Sequence, residues 1–281
     1  MWVALLFAGL VSNTGYSITA RRTFNRSRID PIFLAAIMAT AVAMPGIPGL
    51  FIADINWSVY DFHLIIVFFA SVGCAMLYHF VNSKALELTE ASVFSIYFNF
   101  QIGFATIIGI AVLGEELILS RIIGGVLVFV AGLVLAGKTT ARPAGIVFSI
   151  LTAFLIAALT AFDKYMIDGA GLAEYVFPNK IIVAGALWAV VFLNKRPVDA
   201  GFIKSRWCPV LMSFRCMAAY GVMLALSLGA PMSVSIYIFA LSCVTTPVAA
   251  FLILKERGNL IRKILAVVIA LAGVTFIFLA T

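Results

Sequence analysis

Long apolar runs separated by short polar connections restrict the fold of this chain more than any other feature. A helix needs about 20 mostly apolar residues to cross the hydrocarbon core of a bilayer. The runs are continuously apolar rather than alternating, which indicates helices and not barrel strands. We identify ten of them, at residues 2–20, 31–53, 62–82, 91–113, 122–137, 144–162, 175–193, 207–228, 233–254 and 264–279. The sequence therefore predicts an all-α integral membrane protein with ten transmembrane helices.

Charge is too scarce for a soluble protein of this size. Of the 281 residues, 64% are hydrophobic and 11% are charged, whereas a soluble domain has about 25% charged residues. This composition excludes a soluble enzyme, a disordered chain and a collagen-like fibre. The basic residues form short clusters between the apolar runs instead of one continuous face, so we expect no nucleic-acid partner. The expected partners are the lipid bilayer and a small-molecule substrate, with the protein as a monomer or homodimer.

The sequence lacks the common motifs of metal sites and catalytic centres. Its four cysteines have no Cys-x-x-Cys or Cys/His spacing. It contains no HExxH motif, nucleophile elbow or Gly-rich phosphate loop. We therefore expect no metal, no cofactor and no enzymatic activity. The alternative is a membrane-embedded enzyme or lipid-modifying subunit with His79 or Asp163 as the acid or base, which needs a catalytic pair meeting at one depth.

An internal repeat divides the chain into two halves. Residues 114–137 resemble residues 255–278 at an offset of 141, with Glu115 matching Glu256 and Arg121 matching Arg262. Upstream, residues 85–97 align with residues 225–237 at an offset of 140. Because the two offsets agree within one residue, we interpret the chain as a duplicated five-helix unit, with repeats at 1–138 and 143–281.

An odd number of helices in each repeat has a consequence for topology. The second repeat must enter the membrane from the side opposite to the first, which makes the two repeats inverted. Inverted repeats are typical of secondary transporters, in which the substrate binds near the middle of the membrane between the repeats. The predicted fold is therefore ten transmembrane helices arranged as two inverted five-helix repeats.

The basic residues predict the orientation in the membrane. Most of the 19 Lys and Arg residues fall in the odd-numbered connections, those that follow runs 1, 3, 5, 7 and 9, whereas the even-numbered ones hold only Arg121 and Lys164. Cytoplasmic loops carry the excess of Lys and Arg. We therefore expect the odd connections in the cytoplasm and both termini outside. The size of the chain and the lack of targeting extensions suggest a bacterial inner membrane.

Two segments resemble a known transporter family. They are LGEELILSRIIGGVLVFVAGLVLAG at 113–137 and TTPVAAFLILKERGNLIRKILAVVIALAG at 245–273. In each, a helix ends in a glutamate-containing turn, and a Gly/Ala-rich helix follows. This pattern resembles the ten-helix, EamA-type members of the drug/metabolite transporter superfamily. Pro247 also matches the family pattern, although Thr106 stands at the equivalent place in the first half.

The resemblance implies a metabolite transporter in which a four-helix core of each repeat rocks about a central cavity. It also implies that the fifth and tenth helices pack at the periphery, and it favours export over uptake. Many such transporters have both termini in the cytoplasm, so the orientation expected from the charges departs from the family.

Two basic residues fall inside predicted spans and are the first candidates for substrate recognition. Arg215 lies eight residues into its run, about 12 Å deep at 1.5 Å per residue. An uncompensated arginine there costs about 2.5–3.5 kcal/mol, which a substrate carboxylate or a structural hydrogen bond could offset. Lys180 follows Pro178, which can open a helix, although a lysine so near a helix end can also snorkel to the headgroups. Two cations without a deep carboxylate predict an anionic or zwitterionic substrate, such as an amino acid or organic acid.

Uncharged polar residues within the spans are candidates for hydrogen bonding to the substrate. Tyr97 and Gln101 are four residues apart and share one helix face. Tyr237 is the repeat equivalent of Tyr97, so inverted symmetry would place the two phenols on opposite walls of one cavity. Asn13 belongs to a polar cluster in the first span. The alternative for all four is interhelical hydrogen bonding that only holds the bundle together.

His79 is the remaining candidate, because it is the one histidine deep in a predicted span. Its usual titration range would allow it to couple protons to transport, and a hydrogen-bonded core histidine is the alternative. The sequence thus predicts a secondary transporter of a small anionic or zwitterionic metabolite that works by alternating access.

Overall fold

The structure is a computed structural model that describes residues 1–26, 29–114, 119–136, 142–254 and 260–278. It is 88% helical, and the described residues contain no β-strand. Three features of the repeat lie outside this part of the chain: Glu115, Glu256 and the expected boundary at residue 138.

Fourteen α-helices are formed by the described residues. They are α1 Trp2–Arg26, α2 Pro31–Ala43, α3 Gly46–Ile52, α4 Phe62–Leu88, α5 Ala91–Phe98, α6 Gln101–Leu113, α7 Leu119–Ala136, α8 Pro143–Ala170, α9 Leu172–Leu193, α10 Ala200–Lys204, α11 Trp207–Ser227, α12 Met232–Ala240, α13 Ser242–Ala249 and α14 Leu260–Phe278. A 3-10 turn at Trp57–Val59 precedes α4, and a π-helical turn at Ala250–Leu254 follows α13.

Eight helical segments are long and apolar enough to cross a membrane, as expected of a multi-pass membrane protein. Several helices join end to end to form these segments: α2 with α3, α5 with α6, and α12 with α13 and the π-helical turn. The predicted fifth and tenth spans correspond to α7 and α14, whose apolar stretches Ile122–Ala131 and Ile264–Phe276 are shorter than the other eight.

Helix α8 extends beyond its predicted end. The predicted span ends at residue 162, before two charged residues, but α8 continues to Ala170. Gly171 then ends it with a φ of 103°, a backbone conformation that glycine adopts without a steric penalty. Asp163 is therefore buried inside the helix and not in a connection. Lys164, assigned above to an even-numbered connection, is also part of α8.

The two halves of the chain interlock, because each of the main helix contacts joins one half to the other. The most extensive contacts are α1 with α11, α4 with α8, α2 with α9, and α7 with α14. The first of these pairs is very close: a Cβ atom on Gly221 of α11 would lie 2.8 Å from the carbonyl oxygen of Leu5 in α1. Small residues at such crossings let membrane helices approach each other.

The first, third and seventh connections meet at one end of the bundle. Arg21, near the end of α1, donates hydrogen bonds to the carbonyls of Leu86 and Glu87 at the end of α4. Arg196, which follows α9, lies 3.7 Å from the carboxylate of Asp30, which caps α2. Connections 1, 3 and 7 therefore share one end, at which basic residues are concentrated.

The second and sixth connections meet at the opposite end. Tyr60, which precedes α4, donates a 2.9 Å hydrogen bond to the carbonyl of Glu174 at the start of α9. Burial and the carboxylate of Glu174 raise the pKa of Tyr60 to about 12, so its hydroxyl remains a hydrogen-bond donor at neutral pH. His63 and Tyr165 also contact each other at this end.

Candidate functional site

Two membrane segments each contain a break in the α-helical hydrogen-bond pattern, at a tightened turn whose backbone stays helical, and the two breaks touch. The first break, at Asn99 and Phe100, separates α5 from α6, and the second, at Leu241, separates α12 from α13. The side-chain amide of Asn99 donates a 2.9 Å hydrogen bond to the carbonyl of Ala240, 141 residues away. Discontinuous helices at corresponding positions of two halves often mark the substrate site of a transporter.

A cavity adjoins these breaks and is lined mainly by apolar side chains. Its volume is about 70 Å³. The cavity is therefore narrow in this conformation. Its lining comes from α1, α4, α5, α6, α8, α11 and α12, and consists of Asn13, Tyr78, Phe98, Gln101, Ile156, Leu159, Thr160, Asp163, Arg215, Ala218, Ala219, Val222, Met223, Ser235, Ile236 and Phe239.

Arg215 provides an unpaired positive charge to this cavity. Its side chain is only 7% exposed and lies near the middle of α11. Nη1 donates a 3.3 Å hydrogen bond to the hydroxyl of Tyr78, and the guanidinium carbon lies 5.1 Å and 5.5 Å from the ring centres of Tyr78 and Tyr16. These rings stabilise the cation through their π faces. No carboxylate in the described part of the chain lies within ion-pairing distance of it.

The aromatic support of Arg215 is itself held by a buried amide. Asn82, one helical turn beyond Tyr78 in α4, donates a 2.7 Å hydrogen bond to the hydroxyl of Tyr16. Because Tyr16 and Asn82 lie on different helices and are both buried, this bond fixes the Tyr16 ring beside the guanidinium. The structure thus holds Arg215 in place without neutralising it.

A second buried charge group borders the same cavity. Asp163 is 5% exposed, lines the cavity and forms a 3.1 Å ion pair with Lys180 of α9. The hydroxyl of Tyr175 donates a 2.6 Å hydrogen bond to the same carboxylate. Such a pair holds both charges only because each partner offsets the desolvation of the other.

Three of the predicted site residues meet at the cavity. Arg215, Asn13 and Gln101 all contribute to its lining. Gln101 is 1% exposed, and its Nε2 has no hydrogen-bond partner among the described residues. The Nε2 group of Gln101 can therefore donate a hydrogen bond to a ligand in the cavity.

The other predicted site residues do not line this cavity. Lys180 is buried behind Asp163, and α9 is continuous through Pro178 instead of opening there. Tyr97 stacks on Phe100 in an apolar cluster, Tyr237 is packed in another, and neither lines this cavity. His79 is buried beside Tyr78 and does not line the cavity.

Sequence reasoning missed the roles of Tyr78 and Asp163. Tyr78 and Asn82 are four residues apart, a spacing that places two polar groups on one helix face, and this signal was available. The predicted span ended at residue 162, and Asp163 was considered only as the acid or base of a membrane-embedded enzyme. Gly171 as a helix terminator would have indicated a longer helix.

Similarity to known proteins agrees with this architecture. A protein of known crystal structure superposes with a TM-score of 0.72 over 97% of this chain and 97% of its own, at 15% sequence identity, which shows a shared fold. The curated proteins include no match to this chain. Residues 1–137 match the EamA-like transporter family. This match identifies the first half of the chain, residues 1–137, as a member of the EamA-like transporter family of the drug/metabolite transporter superfamily.

Proposed function

We propose that this protein is a secondary transporter that moves a small anionic or zwitterionic organic metabolite by alternating access. The observation that carries the proposal is Arg215, a buried cation that faces a cavity in the centre of the bundle and lacks an ion-pair partner in the described chain. A charge in the membrane interior is costly and is usually retained for a function. Binding of a substrate anion accounts for this one.

The proposed architecture is ten spans in two inverted five-helix repeats, at 1–138 and 143–281, with α7 and α14 as the fifth and tenth spans. The helix contacts support it. The contacting helices α1 and α11 are spans 1 and 8, and their equivalents in the other repeat are spans 6 and 3, which are the contacting helices α8 and α4. The cavity supports it as well. Its lining comes from spans 1, 3 and 4 and from their equivalents 6, 8 and 9.

Each group of the cavity has a role in this proposal. The guanidinium of Arg215 can bind a carboxylate through two parallel N–H donors. The amides of Asn13 and Gln101 can complete its hydrogen bonding, and the apolar wall can hold the rest of the molecule. Rocking of the two four-helix cores would then expose the cavity to each side of the membrane in turn.

Thermal unfolding of the purified protein with a panel of metabolites tests the proposal. A ligand that binds only the folded state raises the melting temperature, and we expect this rise with carboxylate-bearing compounds. Arg215→Gln should abolish it. Arg22→Gln should preserve it, because Arg22 lies over the ring of Trp207 and away from the cavity.

Transport by the same variants in proteoliposomes gives the second readout. We expect the wild type and Arg22→Gln to move the stabilising compound and Arg215→Gln to fail. Equal transport of that anion by Arg215→Gln and the wild type would contradict the proposal.

We also propose that the protein lies in a bacterial inner membrane, with the basic end of the bundle facing the cytoplasm and both termini outside. The proposed physiological direction of transport is export. The concentration of Arg21, Arg196 and neighbouring basic residues at one end supports this orientation. A phosphatase or fluorescent reporter fused to the carboxyl terminus tests it. Fluorescence from a reporter that is active only in the cytoplasm would show that the orientation is the opposite of the proposed one.

His79 is the proposed proton-coupling residue. It is buried next to Tyr78, which binds Arg215, and its Nδ1 has no hydrogen-bond partner within the described residues. If it carries a proton during transport, His79→Gln should remove the effect of a pH gradient on uptake into proteoliposomes but leave ligand-induced stabilisation intact. An unchanged response to the gradient would exclude this role.

A further inference from the structure

Within the described chain, only one of the two carboxylate oxygens of Asp163 is bonded. The ion pair with Lys180 and the hydrogen bond from Tyr175 both involve Oδ1. The second oxygen, Oδ2, accepts no hydrogen bond from the described chain. Asp163 is buried, at 5% exposed, and it lines the cavity. A hydrogen-bond acceptor in the cavity is therefore available to a ligand.

Arg215 offers the complementary group to the same cavity. Only its Nη1 is engaged, by Tyr78, whereas Nε has no partner within the described residues. Arg215 lies on α11 and Asp163 on α8, and these helices pack against each other. One wall of the cavity thus presents N–H donors of the Arg215 guanidinium, and the adjoining wall presents an acceptor oxygen of the Asp163 carboxylate.

We propose that Asp163 binds the protonated amine of a zwitterionic substrate whose carboxylate is bound by Arg215. This inference rests on the proposed transport function and assigns a residue to the second half of substrate recognition. Lys180 would keep its 3.1 Å ion pair with Oδ1. The substrate amine would then bind Oδ2.

Discrimination follows from the cost of leaving a polar group without a partner. A carboxylate without an amine would fill the cavity, exclude water and leave Oδ2 unbonded, which costs about 1–3 kcal/mol. That cost corresponds to a preference of about 5- to 150-fold for the zwitterion. Asp163 is therefore a specificity-determining residue in this proposal.

Matched ligands and matched variants test it. Leucine and phenylalanine are compared with 4-methylpentanoate and 3-phenylpropionate, which lack the amine, and with isoamylamine and phenethylamine, which lack the carboxylate. β- and γ-amino acids vary the distance between the two charges. The affinity of each compound is measured from its shift of the melting temperature.

The wild type should bind at least one zwitterion about fivefold or more tightly than its matched carboxylate. Asp163→Asn alone would leave the buried cation of Lys180 without its ion-pair partner and could unfold the protein. The double variant Asp163→Asn/Lys180→Met removes both charges and avoids this problem. This variant should still bind carboxylates through Arg215, with the preference for zwitterions reduced to less than about twofold.

The outcomes separate the two proposals. If the wild type binds carboxylates at least as well as zwitterions, or if the double variant keeps the preference, the role of Asp163 is wrong and the role of Arg215 stands. If carboxylate-bearing compounds fail to bind the wild type, or bind Arg215→Gln equally well, the proposed function is wrong and the inference falls with it.

Discussion

The side-chain amide of Asn99 bonds to the main-chain carbonyl of Ala240, and this contact joins the break between α5 and α6 to the break between α12 and α13. A helix break leaves backbone carbonyls without their usual partners, and a membrane interior provides no water to replace them. A side-chain amide therefore satisfies one of them. The broken segments adjoining the cavity are coupled through this bond.

We predict that Asn99→Ala lowers the stability of the protein by about 0.5–2 kcal/mol, the range of buried interhelical hydrogen bonds in membrane proteins. Thermal unfolding in detergent measures the change. Asn194→Ala is the matched control. The Asn194 amide also donates to a carbonyl, but this hydrogen bond is exposed and joins residues only four positions apart. Equal effects of the two substitutions would show that the contact between the breaks is unimportant.

Lys180→Met should destabilise the protein strongly, by about 3–5 kcal/mol, because it leaves the carboxylate of Asp163 buried without its cation. Lys164→Met removes a second ion pair from the same region, Lys164 with Asp168 at 2.8 Å, which is more exposed. This control should change stability by less than about 0.5 kcal/mol. Urea or thermal unfolding distinguishes the two, and similar losses would contradict a special role for the buried pair.

Gly221→Ala should weaken the packing of α1 against α11. The new Cβ atom would lie 2.8 Å from the carbonyl oxygen of Leu5 and 3.2 Å from the Cα atom of Gly9, so the backbones must separate. Overpacking of this kind costs about 1–3 kcal/mol. Gly185→Ala is the control, because a Cβ there meets no atom of the described chain within 4 Å, and it should leave the melting temperature unchanged or raise it.

Asn82→Ala should weaken substrate binding about 2- to 10-fold, the equivalent of one hydrogen bond of about 0.5–1.5 kcal/mol, because the Tyr16 ring loses its support beside Arg215. Tyr16→Phe should have a similar effect. The double variant tests the mechanism, since both changes remove the same bond and should not add. Additive losses of affinity would mean that each residue acts separately.

Several features were predictable from the sequence because they depend on local properties of the chain. Apolar runs separated by polar connections identified the eight spans, along with the shorter helices α7 and α14. A charged residue in the middle of such a run, Arg215, was recognisable as exceptional for the same reason. The clustering of basic residues in alternate connections corresponds to the end of the bundle where Arg21 and Arg196 lie.

The direction of each side chain was decided only by the tertiary structure. A helix surrounded by lipid on one side and by other helices on the other is apolar on both faces, so its hydrophobic pattern does not reveal which face is buried in the protein. Repeat symmetry therefore suggested Tyr97 and Tyr237 as the cavity phenols, whereas packing placed Tyr78 there.

Packing of α8 against α9 likewise brought Asp163 and Lys180 together across 17 residues. The sequence determined which segments enter the membrane and that a cation lies deep within one of them. The rotation and contact of those helices decided that Lys180 is paired with Asp163 while Arg215 has no carboxylate partner among the described residues, because ion pairing depends on three-dimensional proximity and not on position along the chain.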